Sequence, residues 1–274
     1  MTVLVGRRMP PDAHEGPGAD AAIALGVRLA RSLGEPLVVC TVLPPGASPA
    51  ASDVPTQADG VDVTDTHITD RSIPGGLARA AHTHQATVIV VGDGPHRPGT
   101  VGARLARAAG LAVVLAGVAP EVDGTVPITR VTCAFDGSRT APDVLATAAD
   151  LARRAGAALR VASFGPQRPP TVPPEVGLDA ERAVTEEWRS QVLAAQHAAV
   201  ASLGLDASAT ETLAVTAPAV EDAVTGLGWD DGDLLVVGAS AMGAAARVLL
   251  GDPSAAILRA APVPVVLSPG DVAL

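Results

Sequence analysis

The stretch RLARSLGEPLVV at Arg28–Val39 recurs later in the chain as DLARRAGAALRV at Asp150–Val161. Two more pairs of segments match in the same order, TVIVVG at Thr87–Gly92 with DLLVVG at Asp233–Gly238, and RLARAAGLAVVLA at Arg104–Ala116 with AILRAAPVPVVLS at Ala256–Ser268. Repeats that stack as solenoids have a period of about 20 to 50 residues. The much longer period here indicates two copies of one domain, and the unequal spacing of the matches indicates loops of different length.

The boundary between the copies is predicted in a polar segment rich in turn-forming residues, PEVDGTVP at Pro120–Pro127. We therefore predict a first domain over residues 1–123 and a second domain over residues 124–274. The chain has 274 residues, a length that suits two domains of ordinary size better than one.

Each copy alternates short apolar runs with amphipathic helical patterns, which is typical of a parallel sheet covered by helices on both faces. The predicted strands are Val3–Val5, Leu37–Leu43, Val61–Ile68, Val88–Val91, Ala112–Leu115, Arg130–Phe135, Leu159–Phe164, Glu211–Val215, Leu234–Val237 and Val263–Leu267. The predicted helices lie near Ala19–Leu33, Ile73–Thr83, Ala141–Ala155, Pro174–Leu203 and Pro218–Leu227. We therefore predict an α/β fold made of two tandem, doubly wound, parallel five-stranded sheets of Rossmann-like architecture.

The composition excludes several classes of function. Asp and Glu number 29 against 19 basic residues, the net charge is −10, and the only aromatic residues are two Trp and two Phe. An acidic surface with few aromatic rings is unsuited to general nucleic-acid binding. The chain contains no Lys, which excludes a P-loop lysine and Schiff-base chemistry. Because no apolar run approaches the ~20 residues of a membrane span, we predict a cytoplasmic protein that does not bind membranes.

Burial is also predicted for particular side chains of the strands and helices. Cys40 and Cys133 lie in apolar runs, where an isolated cysteine behaves as a small hydrophobic residue, so we predict neither a disulfide nor a metal site. In the longest helix, the residues predicted to face the core are Val184, Trp188, Val192 and Ala195.

Ligands of doubly wound sheets bind beyond the carboxyl ends of the strands, where the strand order reverses. In the second copy the residues at these positions are Asp136-Gly137-Ser138 after the first strand and Gly238-Ala239-Ser240-Ala241 after the fourth. In the first copy they are Gly6-Arg7-Arg8 and Gly92-Asp93-Gly94-Pro95. These segments are the candidate binding sites.

The sequence resembles the universal stress protein family in its tandem two-domain form. The matching pieces are VTCAFDGSRTAPDVLATAADLARRAGAALRVASF at Val131–Phe164 and DLLVVGASAMGAAARVLLGDPSAAILRAAPVPVVLS at Asp233–Ser268, and the likeness extends more weakly over the first half. The resemblance implies a fold like that of the adenine-nucleotide α-hydrolases. It also implies that the two copies pair through their last strands, Val113–Leu115 with Val265–Leu267, as an internal pseudo-dimer.

The family's ATP-binding members carry an acidic residue after strand one and the motif Gly-x2-Gly-x9-Gly-Ser/Thr after strand four. Glycines in such a loop allow close backbone approach, and the helix N-terminus offers N–H groups to phosphate. The corresponding residues of this sequence, which the resemblance assigns to cofactor binding, are Asp136, Gly137, Ser163, Gly238, Ala241, Gly251, Asp252 and Ser254. ATP, with Mg²⁺ held beside it by carboxylates, is the cofactor that they would bind.

This sequence departs from the motif at the second glycine, which is Ala241, and at the Ser/Thr position, which is Asp252. A carboxylate aimed at a triphosphate would oppose binding by roughly a kcal/mol or more, and Pro253 lacks an N–H donor. Alternatively, Asp252 and Ser254 cap the last helix with Pro at its first position. Asp136 has a similar alternative, that of capping the helix after strand one.

The first copy departs further from the family pattern. Its loop after the fourth strand is shorter and contains two prolines, and no acidic residue directly follows its first strand. Gly92, Gly99 and Thr100 remain as the remnant of the motif, while His14 and His96 lie in the altered loops. We expect no nucleotide to bind there in the family manner.

Three hypotheses about function follow. The first is a non-catalytic stress-response protein with weak or lost adenine-nucleotide binding in the second copy, which requires no cofactor. The second is a regulatory sensor that binds ATP in that copy. The third is a nucleotide hydrolase, which lacks a visible general base with an orienting partner. An unknown protein partner and a homodimer of the whole chain stay open.

Overall fold

A computed structural model describes residues 1–8, 17–49, 54–92, 100–116, 123–166, 178–239 and 253–269. The strands are β1 (Thr2–Arg8), β2 (Leu37–Leu43), β3 (Gln57–Ala58), β4 (Val61–Thr69), β5 (Ala86–Val91), β6 (Ala112–Leu115), β7 (Arg130–Ala134), β8 (Ala158–Pro166), β9 (Thr210–Ala217), β10 (Asp233–Gly238) and β11 (Val265–Ser268). The helices are α1 (Pro17–Leu33), α2 (Ile73–Thr83), α3 (Thr100–Ala109), α4 (Ala141–Ala155), α5 (Leu178–Ser202), α6 (Val220–Thr225) and α7 (Pro253–Ala260). None of these helices is long and apolar enough to cross a membrane.

The strands form one continuous sheet in the order β3-β4-β2-β1-β5-β6-β11-β10-β7-β8-β9. Pairing is parallel within each half, apart from the short β3, and antiparallel where β6 meets β11. At that join Val113 pairs with Leu267 and Leu115 pairs with Val265. The predicted α/β fold, with two parallel five-stranded sheets joined through their last strands as an internal pseudo-dimer, is therefore confirmed. The domain limits at residues 123 and 124 stay a prediction.

Helix ends follow from local sequence. The side chain of Ser72 accepts a hydrogen bond from the N–H of Gly75 at 3.2 Å, which caps α2 ahead of the proline in its first turn. Helix α4 ends at Ala155 and is followed by Gly156, whose φ of 64° lies in the left-handed region that favours glycine. These signals explain why the predicted bounds of α2 and α4 match those observed.

Two hydrophobic cores lie on opposite faces of the sheet, and each contains residues from both copies. Leu25 of α1 and Leu145 of α4 belong to the first core, together with Val114 and Val266 on the two joined strands. The second core contains Leu77, Leu105, Leu115, Leu235, Leu258 and Leu267. Because apolar burial is the main favourable contribution to folding, neither copy has a complete core of its own.

Polar contacts also connect the copies, chiefly through arginines of α1 and α4. Arg28 donates to the carbonyl of Asp231 in the turn before β10, and Arg31 donates to the carbonyls of Gly124 and Thr125 at 3.1 Å. The hydroxyl of Ser32 accepts from the N–H of Ile128 at 3.1 Å. The segment that precedes β7 is thus held against α1 of the first copy.

The prediction for the longest helix was wrong at two positions. Val184 is 68% exposed and Ala195 is exposed, whereas Gln196, Ala199 and Val200 are buried among the residues of α5 whose burial is described. A helix of 25 residues is about 37 Å long, whereas the nine residues of β8 span about 30 Å. This difference in length accounts for Val184, which lies far from the buried end of the helix, whereas Ala195 lies beside the stripe that Gln196, Ala199 and Val200 form at positions i, i+3 and i+4.

Smaller differences concern strand and helix bounds. Strand β11 begins at Val265 instead of Val263, and α6 is shorter than its pattern predicted because it stops before Gly226. The two-residue strand β3 was missed, although Asp59 and Gly60, both with positive φ, form the tight turn that joins it to β4. Asp-Gly is a strong hairpin signal, so the sequence did contain a cue.

Candidate functional site

In the second copy the strand order reverses between β7 and β10. From β7 the chain proceeds outward to β8 and β9, then returns to β10 on the other side of β7. The register pairs Cys133 with Val236, so the two strands reach the carboxyl edge of the sheet side by side. Asp136 and Gly238, which follow or end these strands, therefore lie on either side of a crevice of the type in which such sheets bind ligands.

Asp136 is exposed and forms a tight turn of its own. Its Oδ1 accepts the backbone N–H of Ser138 at 2.9 Å, while α4 begins only at Ala141 with Thr140 as its N-cap residue. The alternative that Asp136 caps this helix was therefore wrong, because three residues separate it from the cap. The turn holds the carboxylate at the end of β7. Among the described residues, none donates a hydrogen bond to its Oδ2.

Gly137 makes the turn after β7 possible. Its φ is 70°, in the left-handed region, and a Cβ built on it would meet no heavy atom within 4 Å. Glycine is therefore required here by the backbone conformation, and not by a lack of space for a side chain. The open space also leaves the backbone beside Asp136 accessible.

Ser163 has a buried side chain that is already engaged. Its Oγ donates to the carbonyl of Phe135 at 2.6 Å and accepts from Nε2 of Gln196 at 2.8 Å. Gln196, fully buried on α5, also donates to the carbonyl of Leu213 at 2.9 Å. The hydroxyl of Ser163 is thus not available to a ligand, and the residue as a whole is buried within β8. Sequence reasoning missed Gln196, although a glutamine among alanines and a valine on a buried helix face is a detectable cue.

The end of β10 is held by contacts from both copies. Gly238 pairs with Ser268 of β11, and the next residue, Ala239, donates its N–H to the carbonyl of Ser268 at 2.8 Å. The carbonyl of Ala239 accepts from Nη1 of Arg107 at 3.0 Å. Arg107 belongs to α3 of the first copy, and sequence reasoning missed it because the contact depends on the join between the two sheets.

Several predicted site residues lie outside the described part of the chain. These are Ala241, Gly251 and Asp252 of the second copy, and Gly99, His14 and His96 of the first. Helix α7 does begin at Pro253, as predicted, which places Ser254 in its first turn. Thr100 begins α3, and Gly92 is an exposed residue directly after β5.

The cysteine nearest this edge is not a nucleophile. Cys133 is fully buried on β7, and burial, together with the charge of Asp136, raises the pKa of its thiol far above the ordinary range. Cys40 is also buried, and burial raises its pKa to about 11. The prediction that both cysteines are free and buried is confirmed.

Comparison with known proteins points to one family. The model of the universal stress protein family matches residues 127–269. Universal stress proteins of Mycobacterium bovis and Mycobacterium tuberculosis are 31% identical to this chain over 221 residues, which cover 78% of this chain and 74% of each relative. The crystal structure of a universal stress protein from Archaeoglobus fulgidus superposes with a TM-score of 0.54 at 14% identity, covering 99% of this chain and 97% of that one. At that identity the superposition shows the fold alone.

Proposed function

The chain belongs to the universal stress protein family, and on that premise we propose that it is a non-catalytic, cytoplasmic stress-response protein with weak or lost adenine-nucleotide binding in its second copy. The observation that carries this proposal is the crevice between β7 and β10, where an exposed Asp136 is fixed by its own turn. A carboxylate in that place suits the hydroxyl groups of a nucleoside. No other part of the second copy combines the switch point with such a group among the described residues.

The described residues fit the nucleoside part of ATP. Asp136 leaves one carboxylate oxygen unengaged by hydrogen bonds, and the turn at Gly137 is open. Ser163 offers no side-chain contact, because Phe135 and Gln196 occupy its hydroxyl. These groups would hold a base and a sugar, whereas Mg²⁺ would need carboxylates placed beside the phosphates.

The residues expected to meet the phosphates argue for weak binding. Asp252 replaces a hydroxyl of the family motif and Ala241 replaces its second glycine. A negative charge close to the phosphates opposes their binding, and the missing N–H of Pro253, the first residue of α7, removes one donor. Retention of Asp136 together with loss of the phosphate contacts is the pattern of a site that has decayed at one end.

The first copy offers less for a nucleotide. Strand β1 continues through Arg7 to Arg8, which pairs with Val42 of β2, so the position of the acidic residue is occupied by a basic strand end. We therefore place any nucleotide binding in the second copy alone.

A catalytic role has no support from the described residues near the crevice. Ser163 and Cys133 are buried, and no histidine of the described chain is hydrogen-bonded to either of them. General acid–base chemistry needs a base held within hydrogen-bond reach of its substrate by a third group. The protein is thus proposed to act by binding.

The test is calorimetric titration of the full chain with ATP and Mg²⁺, in wild type and in Asp252→Ser. We expect wild type to bind with a dissociation constant above the millimolar range or not at all, and Asp252→Ser to bind at least tenfold more tightly. Asp62→Ser is the matched control, because Asp62 is an exposed aspartate on β4 of the first copy.

Two results would contradict the proposal. Micromolar binding by wild type that Gly251→Val abolishes would identify a working ATP sensor instead. An equal gain in Asp252→Ser and Asp62→Ser would show that overall charge, and not the phosphate position, limits binding.

A further inference from the structure

Arg107 of the first copy reaches the candidate site of the second. It lies in the last turn of α3, and its Nη1 donates to the carbonyl of Ala239 at 3.0 Å, directly after β10. An arginine near a helix C-terminus ordinarily stabilises the carbonyls of its own helix. This one instead bonds a carbonyl from the other copy, at the start of the loop that the family motif assigns to phosphate.

The antiparallel join explains how this contact arises. Because β6 and β11 run in opposite directions, the amino end of β6 lies beside the carboxyl end of β11. Helix α3, which leads into β6, covers both strands, since a Cβ built on Gly102 would meet Leu115 and Leu267 within 3.0 Å. The C-terminal turn of α3 therefore reaches the carboxyl edge of the second copy's strands.

Ala239 is anchored at both of its backbone polar groups. The carbonyl of Ser268 accepts its N–H, Arg107 donates to its C=O, and Ala239 itself is fully buried. Ser268 is fixed in turn, because its hydroxyl lies 2.9 Å from that of Thr147 on α4. The backbone at the entrance to the loop thus depends on residues of both copies.

The corresponding arginine of the second copy pairs with a carboxylate of its own copy. The repeat aligns Arg107 with Arg259 in the last turn of α7. Nη2 of Arg259 lies 3.4 Å from Oε1 of Glu221 on α6, within the same copy, and both side chains are exposed. Arg107 has no carboxylate partner among the described residues, and its guanidinium lies at the end of β10, whereas the charge of Arg259 is balanced by Glu221.

We propose that the first copy completes the binding site of the second: Arg107 positions the backbone at Ala239 and supplies positive charge to a phosphorylated ligand. The identity of that ligand as an adenine nucleotide rests on the proposed function. The positioning of Ala239 does not, because it rests on the bonds just described. A guanidinium is suited to both tasks, since it carries five N–H donors and stays charged at all physiological pH values.

The first arm of the test measures positioning without any ligand. Hydrogen exchange is followed by mass spectrometry in peptides that contain Val236–Ala239, in wild type, Arg107→Gln and Arg107→Lys. We expect exchange to be at least threefold faster in Arg107→Gln and close to wild type in Arg107→Lys, which keeps a charged donor. Arg104→Gln is the matched control, since Arg104 is an exposed residue one turn earlier on α3.

The second arm measures how the positive charge of Arg107 affects ATP binding. In the Asp252→Ser background, we expect Arg107→Gln to weaken ATP binding about tenfold, as loss of one charge-assisted contact does. Adenosine, which has no phosphate, should bind equally to both variants. Thermal unfolding of each variant shows whether the fold is intact, and a merely structural defect would weaken ATP and adenosine alike.

Each outcome decides a part of the proposal. Unchanged exchange in Arg107→Gln overturns the positioning role, and equal ATP affinity with and without Arg107 overturns the role of its charge. If Asp252→Ser binds no ATP, the proposed function fails and the role of the charge fails with it. Faster exchange in Arg107→Gln would then still support positioning across the two copies.

Discussion

Arg154 on α4 of the second copy forms an ion pair with Glu35 of the first, with Nη2 and Oε1 2.6 Å apart. Thr87, at the start of β5, completes the contact: its hydroxyl donates to Oε2 of Glu35 at 2.7 Å and accepts from Arg154 at 2.8 Å. The Glu35 side chain is only 8% exposed. The two copies are therefore joined by a largely buried ion pair in addition to the pairing of β6 with β11.

Replacing Arg154 with alanine should destabilise the whole chain, because it leaves a largely buried carboxylate without its partner. We expect the free energy of unfolding to fall by about 2–3 kcal/mol, below the cost of a fully buried pair because Arg154 is partly solvated. Arg153→Ala is the control, since Arg153 is 73% exposed and pairs with Asp150 of its own helix. Urea unfolding of both variants provides the comparison, and equal losses would contradict a special role for the cross-copy pair.

Asp233→Asn tests a second buried ionic cluster. Asp233 is fully buried at the start of β10, 2.5 Å from Arg130 and 3.7 Å from Arg160, whose guanidinium stacks on Trp229. Removing its charge leaves two arginines close together, so we expect a loss of about 3 kcal/mol in the free energy of unfolding. Asp230→Asn, at a side chain that is 78% exposed, should cost less than about 0.5 kcal/mol. A small effect of Asp233→Asn in urea unfolding would show that solvent compensates the two arginines.

The two halves should not be stable monomers when they are expressed separately as residues 1–123 and 124–274. Both cores contain residues of both copies, and separation would expose the edges of β6 and β11. We expect each half alone to aggregate, to self-associate through these edges or to lack a cooperative thermal transition, and mixing of the halves to restore one. Light scattering measures the aggregation and self-association, and circular dichroism follows the thermal transition. Sharp unfolding of each half as a monomer would contradict the dependence of each copy on the other.

The cysteines should make stability fall at alkaline pH. Burial raises the pKa of Cys40 to about 11, whereas a thiol of the unfolded chain ionises near its ordinary value of about 8.5. The native state therefore keeps the proton that the unfolded state loses, and stability present below pH ~8.5 is lost as the pH rises towards 11. We expect up to about 1.4 kcal/mol per pH unit from this thiol. Urea unfolding of wild type and Cys40→Ala from pH 7 to 10.5 gives the free energy of unfolding of each as a function of pH. The difference between the two curves is the contribution of the Cys40 thiol, and parallel curves would show that this thiol makes no such contribution.

Most of the fold could be predicted from the sequence because its signals are local. Continuous apolar runs such as Leu37–Leu43 and Ala112–Leu115 matched the observed strands, since a strand buried on both faces needs apolar residues at every position. The failure at Val184 had a different cause. A helical pattern shows which residues share a face, but it does not show how far the sheet extends to cover that face.

The residues of the candidate site also include some that the sequence could locate and some that it could not. The sequence located Asp136 and Gly238, because chain order and the repeat indicate where two strands end. It did not locate Gln196 or Arg107, whose roles depend on contacts between residues 33 and 132 positions apart. Such contacts leave no periodic signal, since only packing brings the atoms together.

By itself, the sequence determined that the chain contains two unequal copies of one α/β unit, because each apolar run and each helix is encoded within its own segment. Tertiary structure decided how much one copy depends on the other. The antiparallel pairing of β6 with β11 merges two sheets into one. As a result, both hydrophobic cores contain residues of both copies, and Arg107 of the first copy contacts Ala239 of the second. These are consequences of geometry across the join, where side chains distant in the sequence share one buried environment.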